Sequence, residues 1–203
     1  MLKTFRESLC AGILITIGGT VFLSCENKTA GAVLFSVALL CICYKGYYLF
    51  TGKIGYIVEQ PKKQDFLNLA VGLFGNLIAT FLLGMLLRTV LPNIGERAAE
   101  MCSAKLAQFP LYSFIRGFFC GILMYLAVSI YKEKNSVWGV LFCVPVFILC
   151  GFEHSIADMF YFGTSGIFDT KIIFFMALIV AGNTLGAMVL PLLKGVHTNE
   201  KQG

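Results

Sequence analysis

Gly151-Phe152-Glu153-His154-Ser155-Ile156-Ala157-Asp158-Met159 is the stretch whose reading decides the fold, because it sets three ionisable groups into a chain that is otherwise apolar. An uncharged run over 135–152 precedes it and another over 172–193 follows closely, so these groups stand at or near bilayer depth. A charged side chain at the centre of a spanning helix costs ~2.5 to 3.5 kcal/mol on insertion scales, so ionisable residues there point to function.

Outward from this stretch the whole chain reads the same way. Its 203 residues are 58% hydrophobic and 13% charged, with a mean hydropathy of +0.81 and no long polar segment. A soluble domain of that composition would expose large apolar surfaces, so the chain is expected to be an integral membrane protein with lipid as an obligatory partner. Uncharged runs cover 8–25, 29–44, 66–87, 117–131 (extending upstream past Arg116 to residue 106), 135–152 and 172–193. About 20 residues cross the hydrocarbon, so the expectation is an all-α membrane protein of six transmembrane helices in a single domain over 1–203, closed by a short polar tail at 196–203.

Lys3 and Arg6 ahead of an apolar core imitate a signal peptide, but the next span begins almost at once, and 1–25 is read as a retained first helix. An even number of spans puts both termini on one side. That side collects Lys3, Arg6, Lys62, Lys63, Lys132, Lys134, Lys194 and Lys201, against Lys28, Arg88, Arg97, Lys105 and Lys171 on the other. Both termini are therefore expected in the cytoplasm, with the chain multi-pass in the cell membrane. The net charge of +5 is spread out, with no basic run longer than Lys62-Lys63, which excludes nucleic acid as a partner. Cys10, Cys41, Cys43, Cys120, Cys143 and Cys150 fall inside spans without a ligand spacing and are read as packing residues; no metal or cofactor is expected. The only other histidine is His197 on the tail, so no H-E-x-x-H site can be assembled and an intramembrane enzyme is disfavoured.

The second span is apolar to Cys43 and then reads YKGYYLFTGKIGYIVEQP, with Gly46, Gly52 and Gly55 interrupting the helical pattern. This predicts a helix that stops inside the membrane, an irregular loop at Leu49, Phe50 and Thr51, and a half-helix running out towards Pro61, tolerated only where protein or a cavity satisfies the backbone. The third span closes at Pro92, an amphipathic interfacial helix follows over 93–109, and the fifth span breaks at the opening stretch as the second does at LFTG.

The halves match in three places: Gly12-Ile13-Leu14 with Gly121-Ile122-Leu123, residues 49–51 with 152–154, and Gly75-Asn76 with Gly182-Asn183. The offsets of 109, 103 and 107 argue for duplication. Three spans per copy would make the repeat inverted, with repeat one at about 7–91 and repeat two at about 110–195, and its two broken helices would meet near the midplane. Asn76 and Asn183, matched across the repeat, are read as pinning the broken-helix loops, and Glu153 as a structural anchor. Asp158 lies four residues beyond His154, close enough along one helical face to reach the imidazole.

AGILITIGG in the first span, LFTG in the second, GILMYLAV in the fourth, GFEHSIADM in the fifth and AGNTLGA in the sixth together resemble the formate/nitrite transporter family over roughly residues 8–193. The resemblance implies an aquaporin-like protomer, a homopentamer with one pathway per protomer, and passage of small monovalent anions such as formate, nitrite, hydrosulfide or a short-chain carboxylate. By motif, His154 resembles the family's central histidine and Thr51 the loop threonine that hydrogen-bonds it, with Leu49 and Phe50 beside it. By spacing from these motifs, Phe35, Leu39 and Phe147 fall where the family's apolar constrictions lie. Two departures stand out. The family usually reads Lys-Gly, two residues, Cys-Asn where this chain has Arg116-Gly117-Phe118-Phe119-Cys120-Gly121, and asparagine is common where Asp158 stands.

An anion crosses an apolar ring only if it is neutralised or met by compensating charge. Arg116 near the outer face, Lys45 or Lys53 near the inner one, and the half-helix N-termini would attract it, and a histidine with a reference pKa of ~6.5 can exchange a proton with it near neutral pH. The alternative reading is an aquaporin-like channel for small neutral solutes, against which stands the lack of an Asn-Pro-Ala motif in either half.

Overall fold

The computed structural model describes residues 1–58 and 61–195, and every described element is helical. The expected polar tail at 196–203 and the stretch at 59–60 lie outside the described residues. In chain order the helices are α1 (Leu2–Ser24), α2 (Lys28–Lys45), α3 (Phe50–Lys53, continued by a 3-10 turn, Ile54–Val58), α4 (Lys63–Val90), α5 (Pro92–Leu106), α6 (Pro110–Lys134), α7 (Trp138–Leu149), α8 (Ser155–Ser165) and α9 (Lys171–Lys194).

Helices α1, α2, α4, α6 and α9 are long and apolar enough to cross a membrane, and α7 is a shorter apolar helix of 12 residues. At 1.5 Å per residue α7 spans only ~18 Å, well short of the ~30 Å hydrocarbon core, and α8 follows it after the break. Their outward faces carry large apolar side chains such as Phe74, Leu82, Phe142, Ile173 and Leu193, as lipid or a neighbouring apolar surface requires.

Small residues bring the long helices together. Between α6 and α9 the backbones touch: a Cβ at Gly182 would lie 2.6 Å from the Phe114 carbonyl oxygen, and one at Gly121 would fall on the Asn183 carbonyl and 2.9 Å from Ala187 N. On α4, a Cβ at Gly84 would lie 2.7 Å from the Phe160 carbonyl of α8. Without water to expel between helices in lipid, this close van der Waals packing is what holds them.

Both breaks are built alike. Helix α2 ends at Gly46 in the left-handed conformation (φ 67°), with Tyr47 N–H reaching back to the Ile42 carbonyl at 3.1 Å. Helix α7 ends at Gly151 (φ 69°), with Phe152 N–H reaching back to the Phe147 carbonyl at 2.9 Å. Glycine at each stop adopts the left-handed turn without a Cβ penalty, and the back-bonded amide satisfies a carbonyl left over at the helix end. Leu49 and His154 then stand in extended conformation as the N-caps of α3 and α8. Gly46, Tyr47 and Leu49 thus correspond to Gly151, Phe152 and His154, all 105 positions apart. The expected pairing of 49–51 with 152–154 is two residues out of register, because LFT and FEH share no residue that would fix which position caps the helix.

The helix expected over 93–109 is α5, Pro92–Leu106. It buries Ile94, Ala98 and Cys102 along one face and packs mainly on α8. Helix α6 runs through Lys134, and the turn after it is made by Asn135, a non-glycine residue with positive φ (48°).

Candidate functional site

Asn76 on α4 and Asn183 on α9, both fully buried, tie the two breaks to the long helices. Asn76 Oδ1 accepts from Phe50 N–H at 2.9 Å, and its amide donates to the Ser8 carbonyl at 2.8 Å and the Tyr48 carbonyl at 2.9 Å. Asn183 repeats the pattern: Oδ1 accepts from Ser155 N–H at 2.9 Å, and the amide donates to the Gly117 and Glu153 carbonyls, each at 2.8 Å. Each asparagine therefore satisfies a helix-start amide and a loop carbonyl that lipid would leave unpaired, and binds a third helix as well.

Held this way, the breaks face each other through one side-chain contact. Thr51 Oγ1 lies 2.9 Å from His154 Nε2, and the two residues are 1% and 2% exposed. The tautomer follows from the other ring nitrogen. His154 Nδ1 accepts from Ala157 N–H at 3.1 Å, capping α8, so it carries no proton. A neutral imidazole then has its hydrogen on Nε2 and donates it to Thr51, leaving the threonine hydroxyl hydrogen free to point elsewhere. A ring taking a second proton must give up the Ala157 cap.

The apolar residues expected to line the pathway are all buried. The Phe147 ring stacks on the imidazole with centroids 5.6 Å apart, and Phe35 meets Phe147 edge-on at 6.3 Å. Leu39, Leu49 and Phe50 are buried, and Leu39 and Leu49 also line a cavity of about 70 Å³ whose wall includes Lys53, Tyr131 and Lys132. Lys53 lies 5.7 Å from the Tyr48 ring centroid, and Lys132 Nζ sits 3.6 Å over the Tyr56 ring. Of the two lysines offered for the inner face, Lys53 lines this cavity and Lys45 is exposed and outside it, while Lys132 also lines it. Arg116 is exposed on α6, and what it gives the site is its backbone carbonyl, which accepts from Glu153 N–H at 3.3 Å.

Asp158 does not reach the imidazole. Both ring nitrogens already have partners, and the Asp158 carboxylate turns to Lys105 Nζ at 3.1 Å. The same ammonium pairs closely with Glu153, whose other oxygen faces Gln108. Burial alone would pull the Lys105 ammonium down, but Asp158 and Glu153 outweigh it and hold its pKa above the ordinary lysine value. Lys105 was missed because it reads as one more basic residue of an outer loop. The available signal was the stripe Ile94, Ala98, Cys102, which at helical spacing puts residue 105 on the buried face of α5.

Gly121 stands where the family reads asparagine. The Asn183 carbonyl and Ala187 N occupy the space a side chain would need, so the α6–α9 approach itself excludes a larger residue there.

The sequence profile of the formate/nitrite transporter family matches residues 1–194. Among curated relatives, the uncharacterized transporter YwcJ of Bacillus subtilis (strain 168) is 29% identical over 81% of this chain and 72% of its own length. The formate channel FocA of Escherichia coli (strain K12) is 25% identical over 78% of this chain, and the nitrite transporter NirC of the same organism 26% over 75%; the matches span 65% and 62% of those relatives. Among solved structures, a pentameric formate channel with formate bound superposes with a TM-score of 0.82 at 23% identity, covering 95% of both chains. A structure described as an FNT family ion channel superposes at 0.79 with 20% identity, over 95% of this chain and 87% of its own. With its helical membrane fold and a family match that covers nearly its whole length, this chain belongs to the formate/nitrite transporter family.

Proposed function

We propose that this chain is a membrane channel or transporter for small monovalent anions, formate, nitrite, hydrosulfide or a short-chain carboxylate, with one pathway in each protomer of a homopentamer. The observation that carries the reading is the buried Thr51–His154 hydrogen bond between two helix breaks, stacked on Phe147 and flanked by Phe35, Leu39 and Leu49. Curated relatives that are a formate channel and a nitrite transporter, and a fold neighbour that is a pentameric formate channel, support the substrate class and the assembly.

In this reading the halves form an inverted three-plus-three repeat in one transmembrane domain, with both termini cytoplasmic and the bundle set in the cell membrane. Lys53 and Lys132 concentrate anions at the inner mouth, while Leu39 and Leu49 on that side and Phe35 and Phe147 on the other form apolar rings that strip water. An anion leaving water for such a ring loses solvation that only donors or a proton can replace. Thr51 O–H, left free because the hydroxyl oxygen accepts His154 Nε2–H, is the neutral donor at the midpoint. His154 exchanges a proton with the substrate, and the ring releases its Ala157 cap whenever it holds the second proton, a loss of about 1 kcal/mol for the cap.

The test is uptake into proteoliposomes of labelled formate, nitrite and lactate and of hydrosulfide, at acid and at alkaline pH, beside water permeability measured by light scattering. Saturable uptake of at least one monoanion, mutually competitive among them, is expected. Fast water permeation with no monoanion uptake would overturn the reading in favour of a neutral-solute channel.

A further inference from the structure

The Lys105 cluster has a charge imbalance that the pathway reading leaves unused. One ammonium faces two carboxylates, and the side chains of Lys105, Glu153 and Asp158 are 11%, 3% and 2% exposed. Lys105 bonds one oxygen of each carboxylate, and Gln108 lies 3.5 Å from the second oxygen of Glu153. Asp158 Oδ2 is buried and has no hydrogen-bond partner among the described residues.

Fully ionised, the cluster would bury a net negative charge, which costs several kcal/mol without compensation. Among the described residues, no further cation faces it. Cys102 from α5, Cys120 from α6, Tyr161 from α8 itself and Glu153 from the preceding loop surround Asp158 with groups that are neutral or acidic. The other packed helices bring Gly19 from α1 and Gly84 from α4 against Phe160, and Asn183 from α9 against Ser155. Arg88 of α4 sits at the far end of α8, against Gly166, and the His154 imidazole is turned to Thr51. A proton on the unpartnered Asp158 oxygen balances the charge in place.

The cluster is also tied to the pathway. Glu153 adjoins His154 in the loop that Asn183 pins, and Asp158 N–H donates to the His154 carbonyl at 2.8 Å. We propose that Lys105, Glu153 and Asp158 form a second proton-holding centre beside His154, in which two carboxylates share one exchangeable proton across the Lys105 ammonium and thereby set the charge a passing anion meets. With the proton the cluster is neutral; without it a negative charge stands within a turn or so of the central histidine and opposes the anion. Asp158 is what makes this possible: with an asparagine there, lysine and one glutamate would balance at every pH. The effect on flux rests on the monoanion reading above, while the shared proton does not.

Two measurements on the full-length protein test it. In infrared spectra at neutral pH and above, the wild type should show the carbonyl stretch of a protonated carboxylic acid, disappearing at alkaline pH. Both Asp158→Asn and Glu153→Gln should lack it, and Asp158→Glu should retain it. In proteoliposomes, wild-type formate uptake should carry an alkaline step that steepens to about tenfold per pH unit as the single proton leaves. Asp158→Asn should lack that step, whatever its absolute rate. A wild-type spectrum with no such band, a band that survives in Asp158→Asn, or parallel uptake profiles would overturn the proposal. If the wild type transports no monoanion at all, the pathway reading falls and the infrared band alone decides whether the cluster holds the proton.

Discussion

Replacing Asn183 by leucine removes three hydrogen bonds while keeping the number and branching of the side-chain heavy atoms. It strands the Ser155 N–H and the Glu153 carbonyl in a site with no exposure, while the Gly117 carbonyl stays in the helical ladder of α6. Each stranded buried group costs ~1 to 3 kcal/mol, so the bare sum is about 2 to 6 kcal/mol. Leucine's own burial returns ~1.5 to 3 kcal/mol, so a net loss of about 2 kcal/mol is a fair central figure. For a chain of this length 1 kcal/mol corresponds to roughly 2 to 4 °C, which places the melting shift at about 4 °C or more. The assay is thermal aggregation of the detergent-solubilised protein, followed by size exclusion after heating. Asn76→Leu should lose a similar amount, since it strands Phe50 N–H and the Tyr48 carbonyl in the same way, the Ser8 carbonyl staying in the helical ladder of α1. Thr184→Val, whose hydroxyl only back-bonds the Val180 carbonyl, should shift little. An Asn183→Leu protein that melts within about 2 °C of wild type would refute the claim that these asparagines hold the breaks.

Other outcomes follow from the same geometry. Thr51→Val should remove the acceptor for His154 Nε2–H, destabilise the site by about 1 to 2 kcal/mol and lower formate uptake, with Thr51→Ser restoring both. Gly121→Asn, which restores the family's residue, should destabilise by at least ~1 to 3 kcal/mol, seen as a lower melting temperature, because its side chain meets the α9 backbone. Neutralising Lys53 and Lys132 together as methionines should raise the anion concentration needed for half-maximal uptake severalfold at low salt, and the difference should shrink as ionic strength rises and screens the mouth.

Much of this fold is legible in the sequence because lipid leaves few choices. Lys171 and Lys194 bracket an uncharged run, and α9 spans Lys171–Lys194. The breaks at LFTG and GFEHS announce themselves through glycine followed by residues too polar or too irregular for a continuous span. Their register does not: it is set by which amide each asparagine accepts, and the readable trace was a glycine followed by an aromatic residue, Gly46-Tyr47 and Gly151-Phe152. Thr51 and His154 come from different halves, and the motif resemblance is what paired them. Asp158 was misdirected for a simple reason. Helical spacing places it within reach of residue 154, but it says nothing about the partner that α5 delivers from 53 positions upstream, and an ammonium outcompetes an imidazole already bonded at both nitrogens.

The measurement that bears most directly on the central claim is the pH dependence of formate uptake for wild type and His154→Ala, with the internal pH of the liposomes followed at the same time. Wild-type uptake is predicted to move the internal pH and to change with external pH, and His154→Ala to lose that dependence. If His154→Ala keeps the wild-type pH profile while still assembling and transporting formate, the imidazole has no part in proton exchange and the account of the pathway is wrong at its centre.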